Sequence, residues 1–537
     1  SFTTFAILCI KRQIITAIKS SNSGKNKILN MALAAAITPL LCCCTSNFEE
    51  YNTNPYEPHS LNPPMLFATM ITTGINVQQN DNQMIDQMVA GPFSGYLTMA
   101  NSWGGSNFNT FNQTESWNQI PFNTPFEKFY SNYFKLETAT GGKGHYWAMA
   151  KLLRVNTMLR VTDCYGPIPY SQVANGKTAV AYDSQEDVYK HMFEDLDYAV
   201  QILGEFVDEV GGLKPLEGYD PVYNGDYNKW MRFANSLKLR LAVRISNVAP
   251  ELARAKAEEA VKSVRGLIDT NDNNAYVGVG AEPNPLWLVA SSWGEIRINA
   301  TIASYMKGYS DPRSGVYFTT SKLGGNSPYM GMRSGLEGVK PATYAGYSMP
   351  NYDQKDDMLM FCAAETAFLR AEGALRGWDM GGSARDFYEQ GVKLSFDQRK
   401  VGGAEEYLAN AVAVPEPFVD PTNPVKCNYT PKTKITIAWN EGAPTEEKLE
   451  RIITQKWIAN FPLGFEGWAD YRRTGYPEVF PSVSNLSNGV IDTNRQLRRL
   501  PFPLSEKQGN AANVSVAVSM LGGPDTGATD LWWAKKN

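Results

Sequence analysis

The sequence predicts a mostly α-helical fold in which pairs of helices are interrupted by long loops. Three observations predict it: apolar residues recur at helical spacing in seven segments, only one segment alternates like a strand, and long irregular stretches separate the helices. The chain has 537 residues, of which 43% are hydrophobic and 19% are charged. That composition is globular rather than disordered, and the length is sufficient for a large core.

Seven apolar stripes predict the helices. They lie at 148–159, 188–203, 230–241, 253–264, 361–375, 387–394 and 449–457. Six of these helices form predicted pairs, which begin near 146 and 184, near 227 and 251, and near 357 and 384. No fixed period relates the pairs, which argues against a regular solenoid.

Local signals predict where three of the helices begin, and one further segment predicts a strand. Ser184 precedes Asp187 by three residues, as Ser383 precedes Asp386, and both arrangements resemble a capping box. Asp226 is the expected start of the third helix. Residues 434–439 alternate between polar and apolar side chains, which predicts one short strand.

The N-terminal segment has the pattern of a secretory signal. Lys25 and Lys27 precede an apolar run at 31–41, which is shorter than the roughly 20 residues that span a bilayer as a helix. A basic stretch followed by an apolar stretch of this length is typical of an export signal. We therefore expect residues 1–43 to be a leader that is removed, and residues 44–537 to form a single domain.

Three consecutive cysteines follow the apolar run. Thr45 and Ser46 come directly after Cys44, and a cysteine at the end of an apolar run, followed by small polar residues, resembles a bacterial lipoprotein signal. Cys44 is the predicted lipidation site, with Cys42 and Cys43 as alternatives. Such proteins carry more than one acyl chain, which is what stable anchoring requires.

The densest feature of the chain is an aromatic and amide-rich stretch at 96–134, which holds eleven aromatic residues and almost no charge before residue 126. This composition suits a sugar, because aromatic rings cover the apolar face of a pyranose while amides bond its hydroxyl groups. The alternative is that most of these rings belong to the core. The ligand-binding candidates from this stretch are Asn101, Trp103, Asn107, Phe108 and Trp117.

A second cluster has a similar mixture of rings and polar groups. Its ligand-binding candidates are Trp287, Trp293 and Arg297, and the alternative is a turn packed on the body.

Several kinds of function are disfavoured. The net charge is −4, whereas a nucleic-acid binder needs a basic excess. His59, His145 and His191 have no metal-ligand spacing, and no nucleotide or dinucleotide fingerprint is complete. We therefore expect no metal, no cofactor and no catalytic residue. Glu365 and Glu372 lie on one helix face, where we interpret them as scaffold residues.

Nine segments carry a resemblance that extends over most of the chain. They are 47–55 (NFEEYNTNP), 163–170 (DCYGPIPY), 225–230 (GDYNKW), 234–241 (ANSLKLRL), 311–313 (DPR), 364–372 (AETAFLRAE), 466–473 (EGWADYRR), 498–503 (RRLPFP) and 521–525 (LGGPD). In this order they resemble the SusD-like (SusD/RagB) outer-membrane lipoproteins, in particular the subfamily with an Asn-Pro segment after the lipid cysteine.

The resemblance implies a SusD-like fold: four tetratricopeptide-like helix pairs overlaid with long loops and a few short strands. It implies a non-catalytic, lipid-anchored protein at the cell surface, which binds an oligosaccharide and delivers it to a TonB-dependent transporter. A peptide-binding lid of the same architecture and a glycoside hydrolase are the alternatives. No ligand-binding residue carries over from the family, so the ring-and-amide argument stands by itself.

Overall fold

The computed structural model describes residues 62–325 and 327–534. The predicted leader at 1–43, the predicted lipidation site Cys44, and the alternatives Cys42 and Cys43 lie outside these residues. Twelve α-helices of nine or more residues occur within them. These are α1 (Pro63–Gly74), α2 (Tyr130–Thr140), α3 (Gly144–Tyr165), α4 (Gln185–Val210), α5 (Tyr227–Arg244), α6 (Pro250–Lys262), α7 (Ala300–Gly308), α8 (Ala363–Leu375), α9 (Ala384–Gln398), α10 (Thr445–Ala459), α11 (Gly464–Thr474) and α12 (Ala511–Met520).

The remaining elements are short. The short α-helices are Gln79–Asn82, Gly91–Phe93, Glu115–Asn118, Ile120–Thr124, Pro285–Trp287, Ser314–Tyr317, Ala404–Leu408, Pro424–Cys427 and Leu504–Gly509. The π-helical segments are Gln83–Ala90, Pro125–Phe129 and Leu288–Ser292, and the 3-10 turns are Phe108–Thr110, Asn271–Asn273 and Pro341–Tyr344. The strands are β1 (Leu97–Met99), β2 (Ala275–Val277), β3 (Ile296–Ile298) and β4 (Met358–Phe361). They form two antiparallel two-stranded sheets, in which β1 pairs with β3 and β2 with β4.

The predicted helix pairs are confirmed. Helix α3 packs on α4, α5 on α6, and α8 on α9, while contacts of α4 with α5 and of α8 with α10 join the pairs to one another. The predicted caps are confirmed as well. The hydroxyl oxygens of Ser184 and Ser383 each accept a hydrogen bond of 3.1 Å from the backbone N–H three residues on, and the Asp226 carboxylate accepts two backbone N–H groups. A cap of this kind stabilises a helix by about 1 kcal/mol.

The predicted strand at 434–439 is wrong. Ile435 and Ile437 are buried, as the alternation suggested, but no strand forms between residues 431 and 440. Their backbone carbonyls accept hydrogen bonds from the hydroxyls of Tyr309 and Tyr388, at 3.0 and 2.5 Å. Tyrosine side chains therefore satisfy part of this backbone, where a neighbouring strand would otherwise be needed.

Two predicted helix ends are also corrected. Helix α6 ends at Lys262, so Val264, which we placed on its apolar stripe, lies beyond the helix and is 97% exposed. Phe361 belongs to β4, and α8 begins only at Ala363. Both errors are at element ends, where helical spacing carries the least information.

A buried ionic cluster joins helices from different pairs. Arg244 of α5 donates to Asp163 of α3 at 2.7 Å and to Glu466 of α11. Arg240, one turn earlier, donates to both carboxylate oxygens of Glu365 of α8, at 2.7 and 2.8 Å. All five side chains are almost completely buried. Charges removed from water in this way need partners, so the cluster fixes how the helices meet.

A second ionic group lies between α8, α10 and α11. Arg473 donates to both oxygens of Glu372, at 2.5 and 2.9 Å, and Arg376 donates to the same carboxylate at 2.8 Å. Asp470 accepts from Arg473 at 3.0 Å and from Lys456 at 2.9 Å. Glu372 is therefore a scaffold residue, as predicted, and so is Glu365 in the first cluster.

The free energy of unfolding is expected to fall as the pH is lowered from about 4.5 to about 2. Burial raises the pKa of Glu372, but the positive charges of Arg473 and Arg376 outweigh burial and lower it from 4.5 to about 2. Within this window the unfolded chain binds more protons than the folded chain. The stabilisation is therefore complete above pH 4.5 and is lost as the pH falls through 2.

Urea denaturation of a Glu372→Gln variant tests this expectation. The variant lacks the titrating group, so its free energy of unfolding should depend less steeply on pH in this window, by up to ~1.4 kcal/mol per pH unit. Burial raises the pKa of Asp163, so this group changes the free energy of unfolding with pH in the opposite sense. It does so equally in both proteins and therefore does not affect the difference between them. Equal slopes for the two proteins would contradict the assignment.

Candidate functional site

The pairing of β1 with β3 brings the two candidate clusters together. In this ladder Thr98 lies opposite Arg297. Just beyond it, the backbone N–H of Ala100 donates to the carbonyl of Glu295 at 2.7 Å. The residues that follow β1 and those that precede β3 therefore lie at the same end of the ladder.

Glu295 is the polar centre of this region. One of its carboxylate oxygens accepts a hydrogen bond from the Asn101 amide at 2.9 Å, and the other accepts from the Gln83 amide at 2.6 Å. The Asn101 side-chain oxygen in turn accepts the backbone N–H of Trp103 at 3.1 Å. A chain of hydrogen bonds thus runs from Glu295 through Asn101 to the backbone of Trp103.

Trp103 has an unusual backbone conformation. Its φ is 38°, and Gly104 and Gly105 follow with φ of 88° and 100°. A bulky residue in the left-handed region costs about 1–3 kcal/mol and persists only when its surroundings hold it there. Asn101 provides part of that support, and a hydrogen bond of 2.8 Å from the Gly105 N–H to the Ser102 carbonyl closes the turn. Strain of this kind is concentrated at ligand-binding sites.

The Trp103 ring lies on a column of aromatic side chains. It packs edge-on against Trp117, with ring centroids 5.8 Å apart, and Trp117 stacks on Phe108 at 6.1 Å. Trp103 and Trp117 are half-buried, whereas Trp293 is 36% exposed and is the most exposed tryptophan of the described residues. We call Asn101, Trp103, Trp117, Trp293 and Glu295 the aromatic surface.

Two candidates from the first cluster are corrected. Phe108 is completely buried beneath Trp117, so its ring cannot contact a ligand in this structure. Asn107 is also buried, and its side-chain oxygen accepts the backbone N–H of Thr110 at 3.2 Å. It caps the 3-10 turn Phe108–Thr110 and is not available to a sugar.

Arg297 is corrected for a similar reason. Its side chain is buried and donates to the backbone carbonyls of Tyr344, Gly294 and Ile296, at 2.8, 3.0 and 2.6 Å. Burial lowers the pKa of Arg297 to about 10. The residue joins its own segment to the segment at Tyr344, and it does not present its charge to solvent.

Trp287 is not joined to the other candidates. It is half-buried at the end of the helix Pro285–Trp287, and the π-helical turn Leu288–Ser292 separates it from Trp293. Within the described part of the chain, no hydrogen bond or ring contact links its side chain to the aromatic surface. It stays a candidate without a structural argument of its own.

The sequence did not point to two contributors. Gln83 supports Glu295 from 212 positions away, and the amide-rich run at 78–83 was the only signal that could have revealed it. Residues 339–344 also border the site, since the backbone N–H of Val339 donates to the Ser102 hydroxyl at 2.8 Å and Ser102 donates back through its backbone. Nothing in their composition distinguishes them.

Glu295→Gln is expected to lower the free energy of unfolding by about 1–2 kcal/mol. The new side-chain NH2 group would face the NH2 group of either Asn101 or Gln83, and two donors cannot bond each other. Urea denaturation measures the change. Glu282→Gln is the matched control, since Glu282 is exposed and surface changes usually stay within about 0.5 kcal/mol. The same stability for both variants would show that Glu295 does not support the turn.

The described residues contain neither a metal-binding cluster nor a membrane-spanning helix. Between residues 62 and 534, residue 326 apart, no three His, Cys, Asp or Glu side chains are arranged to hold a metal ion. In the same part of the chain, no helix has both the length and the apolarity to cross a membrane.

Comparison with known proteins identifies the family. Residues 49–534 match the model of the SusD-like family, described as SusD and RagB outer membrane lipoprotein. The chain is 42% identical to a SusD-like protein from Bacteroides thetaiotaomicron, with a TM-score of 0.85 over 89% of this chain and 99% of that one. A SusD homologue from Bacteroides uniformis is 41% identical, with a TM-score of 0.84 over 88% of this chain and 99% of that one.

A third similar structure is that of a glycan-binding protein. It is a chitin-binding SusD homologue from Flavobacterium johnsoniae, 40% identical, with a TM-score of 0.84 over 88% of this chain and 99% of that one. No curated protein matches the chain. The family match and the three structures confirm the resemblance and the fold predicted from the sequence, and this chain belongs to the SusD-like family of outer membrane lipoproteins.

Proposed function

We propose that this protein is a non-catalytic cell-surface receptor that binds an oligosaccharide on its aromatic surface. The observation that carries the proposal is the conformation of Trp103, which is half-buried and whose backbone is held in the left-handed region by Asn101. Stacked rings cover the apolar face of a sugar, and no charge is needed for that contact. The chitin-binding homologue supports a sugar ligand and makes chitooligosaccharides the first probe.

The carboxylates support binding over hydrolysis. A glycosidase needs two carboxyl groups placed on either side of the scissile bond. Glu295, the carboxylate of the aromatic surface, has both oxygens occupied by amides. Glu365 and Glu372 are held in ion pairs inside the helix frame.

An array of glycans and peptides, probed with the chain from Thr45 onwards, tests the binding function. We expect binding to oligosaccharides of one class, and no shorter products when the bound oligosaccharide is incubated with the protein and analysed by mass spectrometry. Binding to peptides alone would support the peptide-binding alternative. Shortened glycans that disappear after one carboxylate substitution would establish a hydrolase.

We also propose that the protein delivers its ligand to a TonB-dependent transporter in the same membrane. Membership of the SusD-like family supports this partner. Affinity purification of the tagged, full-length chain from detergent-solubilised outer membranes should recover one such transporter in roughly equal amount. Recovery of the chain without any transporter would contradict the proposal.

The anchor is proposed to be a lipid on Cys44, with residues 1–43 removed and residues 44–537 forming one domain. Mass spectrometry of the N-terminal peptide of the membrane-extracted protein tests this. An acylated Cys44 is expected, and acylation of Cys42 or Cys43 would move the site.

A further inference from the structure

A pocket of about 350 Å³ lies where strands β2 and β4 meet the short helix Ser314–Tyr317. Arg399, which directly follows α9, and Phe461, which comes shortly after α10, complete its wall. No residue of the aromatic surface lines this pocket. It is therefore separate from the proposed oligosaccharide site.

Arg399 brings a positive charge without a counter-ion to the pocket. Its Nη2 donates to the Phe461 carbonyl at 2.7 Å, and its guanidinium lies over the Tyr317 ring, 4.7 Å from the ring centroid. Its Nε is buried without a hydrogen-bond partner, and no described carboxylate forms an ion pair with it. Removing a charge from water is costly unless it is paired. A ligand with a negative charge would supply the missing acceptor.

Two aspartates bring the opposite charge to the same pocket. Asp356 and Asp357 are exposed, and neither forms an ion pair with a described residue. One Asp356 carboxylate oxygen accepts the backbone N–H of Asp353 at 2.7 Å, whereas Asp357 makes no side-chain hydrogen bond to a described residue. Because Arg399 and the aspartates do not pair with one another, the pocket presents both charges to a ligand.

The neutral polar groups of the lining are mostly occupied. The Tyr317 hydroxyl donates to the Ile458 carbonyl at 2.9 Å, and the Tyr276 hydroxyl accepts from the Gln398 amide at 2.6 Å. Asn351 makes only a long contact of 3.4 Å to a backbone carbonyl. The charged groups are therefore the main polar sites that a ligand can use.

The rest of the lining is apolar and largely aromatic. Tyr317 stacks on Phe461 with ring centroids 4.7 Å apart, and further rings and aliphatic side chains come from Tyr276, Tyr352, Val316 and Leu359. Aromatic rings gain about 0.5–1.5 kcal/mol from packing on one another, beyond the area that they bury. This wall favours a ligand with a ring of its own.

The volume of the pocket suits a small molecule. Pockets that bind small molecules measure about 300–1,000 Å³, and a cavity of about 150 Å³ accommodates benzene. An aromatic amino acid such as phenylalanine has about twice as many heavy atoms as benzene and so needs about 300 Å³ on the same scale. The 350 Å³ of this pocket is sufficient for it.

We propose that this pocket binds a free aromatic α-amino acid. The carboxylate of the ligand would accept hydrogen bonds from the Arg399 guanidinium, its ammonium group would lie at Asp356 and Asp357, and its ring would pack among the tyrosines. A free amino acid carries both charges, whereas a residue inside a peptide chain carries neither on its backbone. The proposal does not depend on the oligosaccharide-binding function.

Isothermal titration calorimetry on the full-length chain in detergent tests the proposal, with L-phenylalanine and L-tryptophan as probes. Saturable binding at one site is expected. L-phenylalaninamide lacks the carboxylate and N-acetyl-L-phenylalanine lacks the ammonium group, so each should bind at least tenfold more weakly than L-phenylalanine. These derivatives test both charged contacts on the unaltered protein, even if a variant does not fold.

Variants assign the two contacts to residues. Arg399→Gln should weaken binding of L-phenylalanine at least tenfold and should bind L-phenylalanine and its amide almost equally. Asp357→Asn should weaken binding of L-phenylalanine without weakening that of its N-acetyl derivative. Lys400→Gln is the matched control, because it removes a positive charge from the next residue, which is exposed and does not line the pocket. Its affinity for L-phenylalanine should not change.

Three results would overturn the proposal. They are the absence of saturable binding by both amino acids, equally tight binding of the amide or the N-acetyl derivative, and a loss of affinity in Lys400→Gln as large as that in Arg399→Gln. None of these results bears on oligosaccharide binding, because Trp103 and Trp293 lie outside the pocket.

Discussion

Arg244→Met is expected to lower the free energy of unfolding by about 3–5 kcal/mol, the range found when one partner of a buried ion pair is removed. Arg244 is the shared partner of Asp163 and Glu466. Without its guanidinium, Asp163 would lose its ion-pair partner, and Glu466 would keep only Arg240, whose charge is 3.5 Å away and also neutralises Glu365. Urea denaturation at neutral pH measures the loss.

Arg254→Met is the matched control for this experiment. Arg254 is an exposed residue that pairs with Glu258 one helical turn away, and such surface pairs contribute about 0.3–0.5 kcal/mol. The two variants should therefore differ in stability by several kcal/mol. If Arg244→Met were as stable as Arg254→Met, the ionic cluster would not be a determinant of the fold.

Trp103→Ala is expected to weaken oligosaccharide binding by about 1–2 kcal/mol, or roughly 5- to 30-fold in Kd. The reasoning is that stacking of a planar base on an aromatic side chain is worth ~1–3 kcal/mol, and a sugar should gain similarly or less. Trp293→Ala should act in the same direction. Isothermal titration calorimetry with the oligosaccharide that binds on the array measures both effects.

Trp439→Ala is the control for loss of a tryptophan ring. Trp439 is also half-buried, but it packs on Tyr388 of α9, away from the β1–β3 ladder. The Trp439→Ala variant should bind the oligosaccharide with the same affinity as the unaltered protein. Equal affinities for all three variants would remove Trp103 and Trp293 from the binding site without changing the family assignment.

The helix frame could be predicted from the sequence because its signals are local. The stripe at 188–203 and the Ser184 cap lie within one helix, and both are present in α4 as expected. Trp230 lies on the predicted stripe at 230–241, and it is completely buried. A helix carries most of the information about its own buried face within a few turns.

The site could be predicted only in part because it depends on pairings between distant residues. Strands β1 and β3 have only three residues each, which is too short to give an alternating pattern. They also lie about 200 positions apart, so nothing local in the sequence indicates that they pair. The same limit applies to Arg297, which donates to the backbone carbonyl of Tyr344, 47 positions away. Composition identified the aromatic stretch, but it could not separate the rings that face solvent from those beneath them.

The crystal structure of the protein with the oligosaccharide that it binds most tightly tests the central claim most directly. We expect one sugar ring to lie over the indole of Trp103, with a hydroxyl group within hydrogen-bond distance of the Asn101 amide and both oxygens of Glu295 still bound by amides. An oligosaccharide seated elsewhere, with Trp103 and Trp293 as exposed as in the unliganded protein, would contradict the claim.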